Sequence, residues 1–80
     1  MSDPGHVIYE VLDELRLAQA RFEPMASPHE GKAVIEEELD ELWAEVKANR
    51  GTGFAARREA IQIAAMAARY VLDVCDRHRL

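Results

Sequence analysis

Ile35-Glu36-Glu37-Glu38-Leu39-Asp40-Glu41-Leu42-Trp43-Ala44-Glu45-Val46 is the stretch on which the reading of this chain turns. On a helix advancing about 100° per residue, Ile35, Leu39, Leu42 and Val46 share one stripe. Glu37, Glu38, Glu41 and Glu45 share a second, centred roughly 120° away, and Glu30 falls on it as well. Like charges three and four residues apart repel by a few tenths of a kcal/mol per pair, so helix propensity alone does not favour this clustering. Two kinds of cation answer it: a hard metal ion on carboxylate oxygens, or Arg and Lys from a neighbouring helix. The plainer reading is a solvated acidic face on an amphipathic helix.

Working outward, Ser27-Pro28-His29-Glu30 forms a capping box with proline at the first helical position, which starts this helix sharply. It runs to about Ala48, and Gly51 suits the left-handed position after its last turn. Upstream, Asp3-Pro4 predicts the start of a first helix with Ile8, Val11, Leu12, Leu15, Ala18 and Phe22 on its apolar face, ended by Pro24. Downstream, Thr52 is the expected N-cap of a third helix. From Ala60 to Val74 that helix is apolar nearly all round, so it needs cover on several sides, and Ala64, Ala65, Ala67 and Ala68 permit close approach. Asp73, Asp76, Arg77, His78 and Arg79 give it a polar end. The expected fold is all-α: a leading helix and an antiparallel helical hairpin, completing a four-helix-type bundle by oligomerisation. A homodimer, or a tetramer built from dimers, supplies the missing cover.

Composition narrows the function. Residues 1–80 make one small helical domain, 49% hydrophobic and 31% charged. A net charge of −5 argues against binding a nucleic-acid polymer, while leaving room for a nucleotide held as a metal complex. The single Cys75, in an apolar run, reads as a buried free thiol of a reducing, cytoplasmic compartment. Nothing in Met1-Ser2-Asp3-Pro4-Gly5 marks export, and no run approaches a membrane span. His6 and His29 read as surface residues at helix starts, and Trp43 as a packing or interface residue.

The carboxylates carry what chemistry the sequence offers. There is no phosphate loop, since Gly51-Thr52-Gly53 lacks the spacing, no zinc cluster and no nucleophilic triad. Glu38 and Glu41 at i,i+3 can point to one ion, and Glu59 on the next helix can meet them across a short antiparallel link. Three carboxylates from two helices suit Mg²⁺ or Mn²⁺ of the kind that orients a polyphosphate and activates water.

Glu37-Glu38-Leu39-Asp40-Glu41 resembles the E-E-x-x-E motif of the MazG-type all-α nucleoside triphosphate pyrophosphohydrolases. The segment from Ser27 to Val46 and the Ala-rich third helix are similar to that family too, and the likeness covers most of residues 5–76. The family's second motif, E-x-x-D, is met here by Glu59-Ala60-Ile61-Gln62, with Gln62 in the place of the Asp. The resemblance implies Glu38, Glu41 and Glu59 as metal ligands and Glu37 as a nearby catalytic carboxylate. Gln62 would join the metal shell through a neutral carbonyl oxygen. It implies hydrolysis of a (d)NTP to the monophosphate and pyrophosphate. Lys32, Lys47, Arg57 and Arg58 are candidates to steady the phosphates, each of which also reads as a helix-surface charge. Family members commonly add a further helix, so this chain reads as a compact, dimer-dependent version. Three readings stand side by side: such an enzyme, a MazG-like nucleotide- or metal-binding module with catalysis weakened or lost, and a helical dimerisation protein whose acidic stripe is paired with Arg residues of its partner.

Overall fold

A computed structural model describes residues 3–77; the basic end expected at His78 and Arg79 lies outside the described residues. Three helices account for most of this stretch: α1 (Pro4–Arg21), α2 (Pro28–Lys47) and α3 (Phe54–Tyr70), which continues into π-helical turns over Val71–Asp76. Among the described residues there is no strand, and no helix is long and apolar enough to cross a membrane.

The helix ends follow local chemistry, with two departures. Asp3 accepts the His6 N–H at 3.2 Å and Pro4 opens α1. Ser27 Oγ accepts the Glu30 N–H at 3.1 Å, and the Glu30 carboxylate turns back to the Ala26 N–H at 3.0 Å. At the end of α2 the left-handed residue is Asn49 (φ 61°), not Gly51. Its N–H donates to Val46 O at 3.1 Å and the Arg50 N–H to Glu45 O at 2.9 Å, which satisfies the last carbonyls of the helix. A short amide side chain tolerates this conformation, so glycine is not required. The second departure is the cap of α3: Gly53 takes that place and makes no side-chain hydrogen bond, so Thr52 lies one residue too early.

α3 is the central element. α1 and α2 each pack along it and make little contact with one another. Ala18, Ala65 and Met66 form the buried centre, with Val11, Leu15, Val34 and Ile35 around them. A Cβ on Gly31 would stand 2.5 Å from the Tyr70 ring, so the glycine lets α2 close onto α3 at this level. Met25, 1% exposed, plugs the connector between α1 and α2.

That connector is tied down by Arg69, which the all-round apolar reading of the third helix overlooks. Its guanidinium is buried, donates to Glu23 O at 3.2 Å and lies 5.8 Å from the Phe22 ring centre. Its Nε stands 3.8 Å from Asp73 Oδ2, and the same oxygen accepts the Met25 N–H at 3.0 Å.

The buried faces also differ from the pattern. On α2, Ile35 and Leu42 are half-buried but Leu39 and Val46 are exposed, while Glu38 and Glu45 turn partly inward. On α3, Ala60, Ala64 and Ala67 are exposed, and so is Cys75, which is not the buried thiol expected. The molecule measures 44 × 26 × 20 Å. Its 6023 Å² of accessible surface exceeds the roughly 4,900 Å² of a typical folded monomer of 9.0 kDa.

Candidate metal centre

α2 presents Glu38 and Glu41 one turn apart, and the short link through Asn49 returns α3 antiparallel with Glu59 opposite them. One carboxylate oxygen from each of the three lies within 4.8 Å of the others. Glu38 and Glu59 are half-buried and Glu41 is exposed. Burial pushes the Glu38 carboxyl up to about 7, helped by its hydrogen bond to Glu59 and by the neighbouring charge of Glu41. Glu41 is raised as well, through its hydrogen bond with Glu59 and the charge there, with the Arg58 guanidinium working the other way. Glu59 Oε2 is buried and has no hydrogen-bond partner. Orphaned anionic oxygen and mutual repulsion are what a hard cation relieves, and an all-oxygen donor set fits Mg²⁺, Mn²⁺ or Ca²⁺ by type.

The remaining candidates are spread out. Glu37 is exposed and borders the same groove as Glu38. Gln62 turns its amide to α1, where Nε2 donates to Glu14 Oε2 at 2.6 Å. Lys47 lies over the Trp43 ring, 5.7 Å from its centre. Arg57 forms a two-bond pair with Glu10, one arm at 3.2 Å, which holds Glu10 below the usual carboxylate range. Arg58 borders a separate hollow between α1 and the start of α3. Lys32 pairs with Glu36 at 3.1 Å on the surface of α2. Of the four suggested phosphate-binding residues, only Arg58 acts electrostatically on the carboxylate cluster.

Because α1 and α2 rest on α3 and not on each other, a groove of about 520 Å³ opens between them. Gln62, Met66 and Arg69 line it from α3, Leu17 from α1, and Glu37 and Glu38 from α2. Two groove residues escape the sequence reading. Arg69 had a signal, being the one charged residue between Glu59 and Asp73. Glu14 had none, since its partner Gln62 is 48 residues away. No family model matches the chain, and no curated protein or solved structure does either.

Proposed function

We propose that this chain is a MazG-like, Mg²⁺-dependent nucleoside triphosphate pyrophosphohydrolase with slow turnover, working as a homodimer or a tetramer of dimers in a reducing cytoplasm. The observation that carries the reading is the convergence of Glu38, Glu41 and Glu59 from two helices within 4.8 Å, beside a groove of nucleotide size. The likeness of Glu37 to Glu41 to the E-E-x-x-E motif supports it.

In this reading Glu38, Glu41 and Glu59 hold the ion and Glu37 takes the proton of the attacking water. Bound Mg²⁺ (or Mn²⁺) supplies charge neutralisation for the phosphates and a more acidic water. Water oxygen bonds to the α-phosphorus, the bond to the β-phosphate oxygen breaks, and monophosphate and pyrophosphate leave. The groove excludes part of the solvent around the nucleoside. Lys47 and Arg57, engaged with Trp43 and Glu10, give up the phosphate role to Arg58.

Gln62 favours a second reading, a nucleotide- or metal-binding module without turnover, because it adds no charge where the family carries a carboxylate. For the dimerisation reading the Arg residues divide: Arg57 goes to Glu10, while Arg50 pairs with Glu45 and the Arg58 charge acts on Glu41 within the same chain. Pyrophosphate release from dNTPs, measured with and without Mg²⁺, tests the proposal. Slow Mg²⁺-dependent release that disappears in Glu38→Ala supports the enzyme. Mg²⁺ binding without release leaves the module, and neither overturns both.

A further inference from the structure

Glu14 reaches the groove from α1; it lies outside the three-carboxylate cluster but shares the groove with Glu38. Its Oε2 accepts the Gln62 amide at 2.6 Å, short for an N–H···O contact and of the kind an ionised acceptor gives. Both residues are half-buried. Glu10, one turn earlier on α1, has the Arg57 guanidinium, whereas Glu14 meets only a neutral amide among the described residues. Gln62 in turn stands one helical turn beyond Glu59, and Glu37 borders the groove with it.

We propose that Glu14 is a positioning residue of the metal centre, orienting the Gln62 amide and placing a negative charge one hydrogen bond behind it. This role rests on the Mg²⁺ site of the function proposed above and deepens it. An ionised carboxylate accepts and cannot donate, so Glu14 holds Nε2 and leaves Oε1 as the end available to a cation or its water. Without that hold the amide can turn over, since its two ends are alike in size. A neutral oxygen alone brings no charge to a hard ion. Backed by a carboxylate, the amide is polarised and its oxygen becomes the better donor of electron density. The charge of Glu14 also adds to those of Glu38, Glu41 and Glu59, in a half-buried place where water screens less. Outer carboxylates commonly orient metal ligands and raise their basicity in this manner. The arrangement brings α1 to a centre that α2 and α3 build. Ion binding and the docking of α1 are therefore linked, and an ion that draws on Glu14 also holds α1 down.

Glu14→Gln separates charge from hydrogen bond, because its amide oxygen still accepts from Gln62 and only the charge is lost. Calorimetric titration with Mg²⁺ alone is expected to show binding weakened about tenfold or more, with the metal-free Tm little changed. Exchanging the pair, Glu14→Gln with Gln62→Glu, keeps the bond and returns the charge, and should restore wild-type affinity. Asp13→Asn removes a neighbouring, exposed charge of α1 without touching Gln62 and should cost roughly twofold at most, since solvent and salt screen it. In amide hydrogen exchange, Mg²⁺ should slow the α1 amides around Glu14 in the wild type and not in Glu14→Gln. Equal Mg²⁺ affinity of the wild type and Glu14→Gln, or an equal loss in Asp13→Asn, would overturn the role of Glu14 and leave the metal site standing. A wild-type protein that takes up no Mg²⁺ would overturn both.

Discussion

The side-chain amide of Gln62 donates to the Glu14 carboxylate at 2.6 Å, joining α3 to α1 at the wall of the groove. Position 62 therefore has a structural duty wherever the metal ligands lie. Gln62→Asp removes the donor and sets a new carboxylate facing Glu14. The apoprotein should melt earlier at pH 8 and recover towards pH 5, where one acid can donate to the other. Calorimetric titration should show Mg²⁺ binding several-fold tighter, because the added charge lies on the groove side of α3. Unchanged affinity would remove position 62 from the metal shell.

Glu38 makes binding and stability depend on pH in opposite ways. Its carboxyl rises from an ordinary 4.5 to about 7 in the folded chain. Between those values the unfolded chain has lost the proton and the folded chain keeps it. This group's contribution to stability thus falls as pH rises through that window and levels off above about 7. A metal must displace the same proton, so Mg²⁺ affinity should climb by up to about tenfold per pH unit below the Glu38 value and then flatten. Titrations in two buffers of different ionisation enthalpy should detect proton release at pH 6.5 and little at pH 8.5.

Glu59→Gln separates binding from folding. The substitution takes away a buried anionic oxygen that has no hydrogen-bond partner. The metal-free protein should gain a few degrees in Tm at pH 8, and Mg²⁺ binding should be lost. A variant that is destabilised and still binds Mg²⁺ would show that Glu59 serves the fold and not an ion.

Arg69→Met should be the most damaging single change outside the apolar centre. It leaves Asp73, 13% exposed, without its ion pair and frees the carbonyl of Glu23. Removing one partner of a buried pair costs about 3 kcal/mol or more, readable as a lower urea midpoint. Asp73→Asn should cost less, because an amide oxygen can still accept the Met25 N–H. Arg69→Lys should not rescue, since an ammonium lacks the fork that serves Glu23 and Asp73 together.

Asn49 offers a gain in stability. At φ 61° it sits where L residues with a Cβ are strained. Asn49→Gly should raise Tm slightly, and Asn49→Ala should lower stability by about 1 kcal/mol. Thermal melts followed by circular dichroism decide both signs.

What the sequence made legible was local. Asp3, Ser27 and Glu30 cap their helices within four residues, and such bonds depend on little else. Glu38 and Glu41 are one turn apart on any helix, and the short link leaves Glu59 few other places to be. Which face of α2 meets α3 was not legible. Leu39 and Val46 ask for cover as strongly as Ile35 and Leu42 do, yet in the fold Gly31 lies against the Tyr70 ring and Leu39 and Val46 stay exposed. Arg69 and Glu14 stayed hidden for another reason: their partners Glu23 and Gln62 are 46 and 48 residues away, a distance at which periodicity carries no information.

The central position of α3 also sets an order of assembly. The ties from α1 and its connector to α3, Glu10 to Arg57, Glu14 to Gln62 and Glu23 to Arg69, span 47, 48 and 46 residues. The α2–α3 hairpin closes over a short link and loses far less chain entropy in forming. The hairpin should therefore form early, with Glu38, Glu41 and Glu59 already gathered, and α1 should dock afterwards. The groove comes into being only with that last step, so a loosened chain sheds its nucleotide-sized cleft before its carboxylate cluster. Amide hydrogen exchange should report the same sequence in reverse, with the α1 amides exchanging well ahead of those in α2 and α3.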